Sequence, residues 1–448
     1  MSSNRVPSGM ESVGHRAVST ALRKLLPLIV LMHVIAYVDR LNISFAKDQL
    51  TDDLGLSATA FGLASGIFFL GFVLFQVPSN LILHRVGARR WLATIMIAWG
   101  VFACATALVW DSASLVVVRL LLGFAEAGFF PGVVLFLSGW FPPEARGRAM
   151  AAFLSGIAIA IIVGGPMAGG LLELDGVLGI DGWQWLFVVQ GVPAIVVGLV
   201  ALRKLPERPS SAQWLPAEDA RWLEQRIIEE REEADLTDMR SAIRDRRVRY
   251  LTGTYFCLNL ASYGILFWLP DIIERIGDLS DIQVGLLATI PFMAGVAGLF
   301  LLGRRADREG DHRRLLMFGL LLGAAGAIGI ALTPPVFGIP LGALGTFGVL
   351  GVIPVFWAVP TAILRDEAAA GGIALINSIG VSGGLFGPVI VGAIKDATDS
   401  LDGGLLVLGG SLALAALLAA ITPVKDPVLS YASETPGTLR TQPETTEG

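Results

Sequence analysis

The chain has 448 residues, of which 54% are hydrophobic and only 16% are charged, and its formal net charge at pH 7 is −5. A soluble protein of this length would carry about 25% charged residues. Its apolar runs are repeatedly long enough to cross a bilayer, so the composition excludes an ordinary soluble enzyme or binding module and predicts a polytopic membrane protein.

The apolar runs predict an all-α protein with twelve membrane-spanning helices, because backbone groups inside a bilayer must be hydrogen-bonded within their own segment. The predicted spans are residues 25–46, 58–80, 91–110, 113–138, 148–172, 184–204, 248–270, 282–303, 314–333, 337–362, 371–394 and 404–423. They form two six-helix bundles, at 25–204 and 248–423. We expect a cytoplasmic segment at 1–24, a cytoplasmic linker with an amphipathic helix at 205–247, and a disordered cytoplasmic tail at 424–448.

The first span contains two adjacent charges, Asp39 and Arg40, within the stretch AYVDRLNISFA. A helix that ended at Val38 would be about 21 Å long from Leu25, since each residue adds 1.5 Å. That is shorter than the ~30 Å hydrocarbon core, and the apolar character resumes after the two charges. The pair is therefore expected inside the membrane, with Tyr37 beside it as a candidate cavity residue.

The fourth span supplies two further charges in RLLLGFAEAGFFPG. Arg119 and Glu126 are two helical turns apart and share one helix face. By helical rise, Arg119 lies level with Asp39 and Arg40, and Glu126 lies nearer the midplane. Each charge would cost ~3 kcal/mol or more facing lipid at the helix centre, so we expect all four in one central chamber.

Two interpretations of these four residues remain open. One is a purely structural network of ion pairs. The other is transport, which we favour because buried ion pairs seldom add net stability over apolar packing. Arginine binds carboxylates through two parallel hydrogen bonds, and a buried acid can carry a proton. The set therefore predicts movement of an organic anion coupled to a proton, with no cofactor and no metal.

Five other polar side chains are weaker candidates for substrate contact, because each could instead satisfy a neighbouring helix. They lie in spans two, seven and eleven: Gln76, Asn259, Tyr263, Asn377 and Ser382. His33 of the first span is expected simply to be packed.

The distribution of basic residues predicts the orientation. With the amino terminus in the cytoplasm, only Lys47, Arg275 and Lys395 face outside, and only Arg40 and Arg119 lie within spans, out of 33 lysines and arginines. Such an excess on one side is typical of cytoplasmic loops. We expect a multi-pass protein of the bacterial inner membrane with both termini in the cytoplasm.

Short similar segments recur at nearly constant separation along the chain. They are NLILHRVG at 80–87 with GRRADREG at 303–310, EA at 144–145 with EA at 367–368, and GP at 165–166 with GP at 387–388. Their common register predicts that six spans were duplicated to give twelve.

Several motifs resemble one transporter family. The segments YVDRLNISFA, RLLLGFAEAGFFPG, GWFPPEARGRAM and NSIG…GG.FGP are similar to the anion:cation symporter branch of the major facilitator superfamily, and most of all to bacterial permeases for tartrate, phthalate, hydroxyphenylacetate and sugar acids. The resemblance implies two six-helix bundles, alternating access and proton-coupled uptake of a small organic carboxylate. We expect a monomer in the lipid bilayer that binds no nucleic acid.

The resemblance also implies residue roles. Asp39 and Glu126 match the family's proton-titrating acids, and Arg40 and Arg119 match its anion-binding bases. The motif GRRADREG is similar to the superfamily's gating motif, which gives gating roles to Gly303, Asp307, Arg308 and Gly310 and, in the first half, to Arg85, Gly87 and Arg89. The first half departs from the pattern, with Asn80 in place of Gly and His84 in place of Asp. Val381 stands where relatives often carry Asn, which favours a less hydroxylated or more aromatic anion.

Parts of the sequence also match two other functions. GPMAGG at 165–170 resembles a motif of proton-coupled efflux antiporters of the same superfamily, although glycine and proline also permit close helix packing. The other is a membrane enzyme, because GVSGG at 380–384 formally matches the G-x-S-x-G pattern. That pattern requires a strand–turn–helix, however, and this segment lies in a predicted span. We therefore expect a transporter and not an enzyme.

Overall fold

A computed structural model describes residues 8–231, 245–363 and 367–423, and every regular element within them is helical. The α-helices are α1 (Ser8–Phe45), α2 (Lys47–Leu54), α3 (Ala58–Val86), α4 (Ala88–Thr106), α5 (Ser112–Glu126), α6 (Phe129–Ser138), α7 (Pro143–Leu172), α8 (Gly182–Lys204), α9 (Ala217–Arg231), α10 (Arg246–Glu274), α11 (Asp281–Glu309), α12 (His312–Leu332), α13 (Gly338–Ile363), α14 (Glu367–Val381), α15 (Gly383–Thr398) and α16 (Asp402–Ile421). Short 3₁₀ turns lie at Val177–Gly179, Pro209–Ser211 and Pro335–Phe337.

Eleven segments of the described chain are long and apolar enough to cross a membrane. The predicted third span is not among these eleven segments. It is the helix α4, which has Arg89 and Arg90 in its first turn and packs between α5 and α8. The prediction of an all-α, multi-pass membrane protein is confirmed, and all twelve predicted spans are helical in the described residues.

The first helix is longer than the first predicted span. It begins at Ser8, and its part before the predicted span packs against α9, with Ala17 and Ala21 fully covered. The Arg16 guanidinium donates to the Asp219 carboxylate, with Nη2 2.6 Å from Oδ1. The polar start of α1 therefore has a protein partner rather than projecting into solvent as a separate segment.

The linker helix α9 is docked on the first half of the chain. Trp214, just before α9, stacks on Trp140 with ring centroids 5.7 Å apart. Arg226 Nη2 lies 2.7 Å from Glu144 Oε1 at the start of α7. The helix falls within the predicted amphipathic segment, while residues 232–244 and the tail 424–448, predicted to be disordered, lie outside the described residues.

Two spans predicted as continuous helices are broken. The fourth is divided into α5 and α6 at Ala127 and Gly128, and the eleventh into α14 and α15 at Ser382. A Cβ at Gly128 would lie 1.8 Å from Ser79 Oγ, so α3 approaches the break too closely for any side chain there. Non-helical backbone at membrane depth is tolerated where protein or a cavity surrounds it, which is the setting of both breaks.

The two halves of the chain meet along two seams, α3 against α15 and α7 against α11. We call the end of the bundle where α1 begins the N-terminal face, and the end where Phe45 lies the opposite face. The seams are tightest near the opposite face. A Cβ at Gly165 would lie 2.4 Å from Gly285 O, and a Cβ at Gly62 would lie 2.4 Å from Pro388 O. Backbones therefore touch directly, and the halves are closed together there.

Candidate functional site

A cavity of about 620 Å³, which we call the central cavity, lies between the two halves. Its walls come from α1, α3 and α5–α7 on one side and from α10, α11, α13 and α14 on the other. Gln76, Leu154, Phe300 and Trp357 line the part toward the N-terminal face. Since the seams are closed near the opposite face, the cavity extends from the middle of the bundle toward the N-terminal face.

The central cavity contains one ion pair. Arg40 Nη2 of α1 donates to Glu126 Oε1 at the end of α5, and both residues line the cavity. The Arg40 side chain is 19% exposed and the Glu126 side chain only 2%. Arg40 Nε and Glu126 Oε2 have no hydrogen-bond partner among the described residues. The pair therefore keeps hydrogen-bonding capacity that a ligand or a proton can use.

One aromatic ring contacts both of the predicted anion-binding arginines. The Phe68 ring centroid lies 5.6 Å from Arg40 Cζ and 5.5 Å from Arg119 Cζ. Tyr37 and Phe72 also lie within 5.9 Å of Arg40 Cζ. Cation–π contacts of this kind favour a desolvated guanidinium, so the rings help to keep Arg40 charged and fixed beside the cavity.

The other two charges lie behind the cavity wall. Asp39 and Arg119 are only 2% and 1% exposed, and neither lines the central cavity. Asp39 Oδ1 accepts from Asn42 Nδ2 at 3.3 Å, and Asp39 interacts electrostatically with Arg119, Arg40 and Glu126. The expectation of one chamber lined by all four is corrected in this respect. Successive helix positions are 100° apart, so Arg40 faces the cavity while Asp39 faces its own bundle.

Five of the other predicted contact residues line the central cavity: Tyr37, Gln76, Asn259, Tyr263 and Asn377. Asn377 Nδ2 lies 3.5 Å from Gln76 Oε1, so these two amides meet across the two halves. Ser382 is not in the wall. It lies at the break between α14 and α15, and its Oγ donates to Ile379 O at 2.6 Å. The assigned substrate contacts remain predictions.

Sequence reasoning missed several wall residues, chiefly Tyr255, Ser155 and Trp357. Tyr255 precedes Asn259 and Tyr263 at intervals of four residues, so the shared helix face of α10 could have identified it. Trp357 and the phenylalanines of the wall give no such signal, because an aromatic residue in an apolar span usually packs against another helix. His33 is packed as expected, with Nδ1 2.7 Å from Phe153 O, although its edge also reaches the cavity.

The predicted gating segment of the first half contacts a carboxylate from outside the motif. Gly87 has φ 92°, and a Cβ there would lie 2.3 Å from Glu207 Oε1. Arg89 Nε lies 4.0 Å from Glu207 Oε2. Glu207 follows α8, so it places an acid beside a motif in which His84 replaces the usual Asp. Arg85 is exposed and makes no ion pair with another described residue.

The predicted gating segment of the second half ends α11. Gly310 has φ 68° and forms the left-handed cap of that helix. A Cβ at Gly303 would lie 3.4 Å from Pro354 Cγ of α13. Arg308 is exposed, and the side chain of Asp307 lies outside the described part of the chain. The gating roles stay predictions.

At the opposite face, a second group of charges joins the two halves, and we call it the opposite-face network. Asp271 Oδ1 of α10 lies 2.9 Å from Lys47 Nζ of α2 and 2.6 Å from Lys395 Nζ of α15. The Lys47 ammonium also contacts Asp48, and both lysines lie within 5.8 Å of the Trp268 ring. Burial alone would lower the pKa of Lys47, but Asp271 and Asp48 hold that pKa above its ordinary value. The Lys47 ammonium therefore stays charged.

Comparison with known proteins gives one consistent family. The profile described as Major Facilitator Superfamily matches residues 29–388 and, in an overlapping match, 272–443. A putative tartrate transporter of Agrobacterium vitis is 40% identical over 407 residues, which is 90% of either chain. A quinolone resistance transporter of Acinetobacter baumannii is 38% identical over 395 residues, 87% of this chain and 91% of that protein.

The fold is similar to that of a solved transporter structure. The xylose transporter XylE from E. coli, in a partially occluded inward open conformation, superposes with a TM-score of 0.71 over 90% of this chain and 98% of that chain. The sequences are only 15% identical, so this likeness concerns the fold alone. These relatives are transporters and not enzymes, in agreement with the prediction.

Proposed function

The chain belongs to the major facilitator superfamily, and within it we propose a proton-coupled importer of a small organic carboxylate in the bacterial inner membrane. The observation that carries the proposal is the Arg40–Glu126 ion pair in the wall of the central cavity. A cation bound to an acid that can be protonated is a site where a substrate carboxylate and a proton can exchange for one another.

The proposed coupling follows from competition for one guanidinium. A proton on Glu126 weakens its ion pair with Arg40 and frees the hydrogen-bond donors of that arginine. The substrate carboxylate then binds Arg40 through two parallel hydrogen bonds. Protonated Glu126 is then neutral, and the substrate carboxylate compensates the charge of Arg40. The loaded site therefore has less net charge in the bilayer than the substrate anion alone would have.

Asp39 and Arg119 act from behind the cavity wall in this proposal. Asp39 interacts electrostatically with Arg119 and, more weakly, with Arg40. Its charge state therefore changes how strongly the arginines attract an anion. Arg119 contacts the same Phe68 ring as Arg40 and adds positive potential near it.

Alternating access requires that the closed seams open in another state. The present structure is closed near the opposite face, where Gly165 meets Gly285 and the opposite-face network joins the halves. We propose that these contacts separate when the cavity opens to the opposite face, and that the halves then approach one another at the N-terminal face. We further propose that both termini are cytoplasmic and that the protein acts as a monomer.

The relative named as a putative tartrate transporter supports carboxylate transport. The relative named as a quinolone resistance transporter supports the alternative, a proton-coupled efflux antiporter. The GPMAGG motif does not favour efflux by itself, because Gly165 and Gly169 are explained by their contact with α11.

Purified protein in proteoliposomes tests the proposal. An inward proton gradient should drive accumulation of at least one carboxylate from a panel of aliphatic, hydroxylated and aromatic acids, and a protonophore should abolish it. Extrusion of cationic dyes or quinolones against the proton gradient, with no carboxylate accumulated, would establish the efflux alternative instead.

A further inference from the structure

A second, smaller cavity adjoins the central cavity on the side away from the N-terminal face. It has a volume of about 130 Å³, and we call it the side pocket. The two cavities share Tyr37, Tyr255, Asn259, Tyr263, Leu350 and Ile353 in their walls. The side pocket is thus a continuation of the proposed substrate site, directed between the two halves toward the closed seams.

The side pocket has the size and lining for one aromatic ring. An apolar cavity of about 150 Å³ in a protein holds a benzene molecule. The deeper wall of the side pocket consists mostly of aliphatic and aromatic side chains, among them Ile161, Leu266, Leu269 and Phe292. A ring that enters it replaces contact with water by contact with these side chains, which is favourable for an apolar group.

Two hydrogen-bond donors in the wall of the side pocket are already engaged within the protein. Ser262 Oγ donates to Leu258 O at 2.6 Å, and Asn259 Nδ2 donates to Tyr255 O at 2.8 Å. Farther along the cavity, the Asn377 amide faces Gln76. A polyhydroxylated substrate would have to break such bonds or leave its own hydroxyl groups unpaired, which is unfavourable in a buried site.

The distance between charge and pocket fits a short substrate. Tyr37 belongs to the wall of the side pocket and precedes Arg40 by three residues, or about one turn of α1. Arg40 Cζ lies 5.8 Å from the centroid of the Tyr37 ring. A carboxylate bound at Arg40 is therefore close to the Tyr37 ring, and a ring joined to that carboxylate directly or through one carbon extends toward the side pocket.

We infer that the preferred substrate is a monocarboxylate bearing a single aromatic ring, with its carboxylate on Arg40 and its ring in the side pocket. This inference rests on the proposed function and selects one class within it. It predicts that aromatic acids exceed hydroxylated acids of similar size as substrates by about tenfold or more, the discrimination that one or two unpaired polar groups produce.

A proteoliposome competition assay with a proton gradient tests the inference. Benzoate and phenylacetate are compared with tartrate, gluconate and propionate as substrates and as mutual competitors. We expect the two aromatic acids to be taken up best. Uptake of tartrate or gluconate in preference to them would overturn the inference and leave carboxylate import standing. No proton-driven uptake of any acid would overturn the proposed function itself.

Two variants of the side pocket test the position of the ring. Ser262→Phe should fill the side pocket and lower benzoate and phenylacetate uptake at least tenfold, while propionate uptake remains. Ser262→Ala, which removes the hydroxyl group without filling space, should keep the parent's preference. Phe292→Ala, which enlarges the pocket, should shift the preference from benzoate to 2-naphthoate. If Ser262→Phe keeps propionate uptake and also keeps benzoate uptake, the ring does not occupy the side pocket.

Discussion

Arg40 and Glu126 form an ion pair between α1 and α5, although 86 positions separate them in the chain. The pair lies in the wall of the central cavity, whereas the neighbouring acid Asp39 and the second arginine Arg119 are buried behind it. This arrangement divides the four membrane charges into two in the cavity wall and two buried behind it, and we expect substitutions in the two groups to have different effects.

Glu126→Gln should separate substrate binding from proton coupling. The amide of glutamine does not take up a proton near neutral pH, so proton-driven accumulation should disappear. Exchange of labelled for unlabelled substrate across the membrane should continue, because Arg40 keeps its charge. Both are measured in the same proteoliposomes. Accumulation equal to that of the parent would remove Glu126 from the coupling step.

Asp39→Asn should also reduce proton coupling, but less completely than Glu126→Gln. Since Asp39 lies behind the wall and interacts with Arg119 and Arg40 only electrostatically, the variant should still bind substrate but lose most proton-driven accumulation. The pH profile of uptake is the deciding measurement. A profile unchanged from the parent would assign Asp39 a purely structural role.

Arg40→Lys should weaken substrate binding while keeping the positive charge. Lysine cannot offer two parallel donors to a carboxylate, and one lost hydrogen bond to a charged group is worth about 1.5–3 kcal/mol, which corresponds to roughly 10- to 100-fold in affinity. The measurement is the Kd of the best panel substrate by calorimetry in detergent. Arg203→Lys, at an exposed arginine outside the cavity, is the matched control and should keep the parent's affinity. Equal affinity of the Arg40 and Arg203 variants would show that the substrate does not bind Arg40.

Gly165→Ala should open the closed seam at the opposite face. The added Cβ would lie 2.4 Å from Gly285 O, so the two halves must move apart. Spin labels at exposed Asp52 and Asp278, with both native cysteines replaced by serine, report the distance between the halves by electron paramagnetic resonance. That distance should increase in the variant.

Gly170→Ala is the matched control for this seam, because nothing lies within 4 Å of a Cβ at that position of the same helix. It should leave the label distance unchanged. Unaltered distances in both variants would mean that close glycine packing does not hold the seam closed.

Asp271→Asn should weaken the opposite-face network, since both Lys47 and Lys395 depend on that carboxylate. Removing one member of a buried ion pair leaves its partners uncompensated, so the population open at the opposite face should rise. Arg275→Gln provides the control. Its ion pair with Asp402, with Nη2 2.8 Å from Oδ1, lies within the second half and does not join the halves. The measurement is the same spin-label distance between the halves. A larger increase in that distance for Arg275→Gln than for Asp271→Asn would show that the opposite-face network does not hold the halves together.

The sequence predicted the fold well because long apolar runs in a bilayer leave few alternatives to helices. Counting helical rise also placed Arg119 level with Asp39 and Arg40, and Glu126 nearer the midplane. It did not predict which of them face the cavity, since Asp39 and Arg40 are adjacent and only the packing of α1 decides which one turns toward it. The breaks at Gly128 and Ser382 were missed for a similar reason. Close contact with another helix, such as Ser79 against Gly128, is not encoded in the local pattern.

The most direct test of the account is to count protons as substrate binds. Purified protein in weakly buffered detergent solution is mixed with the best panel substrate, and the pH change is recorded. Exchange of a carboxylate for Glu126 at Arg40 predicts net proton uptake on binding by the parent protein, and much reduced uptake by Glu126→Gln at saturating substrate. Substrate binding without proton uptake, or equal uptake by the two proteins, would contradict it.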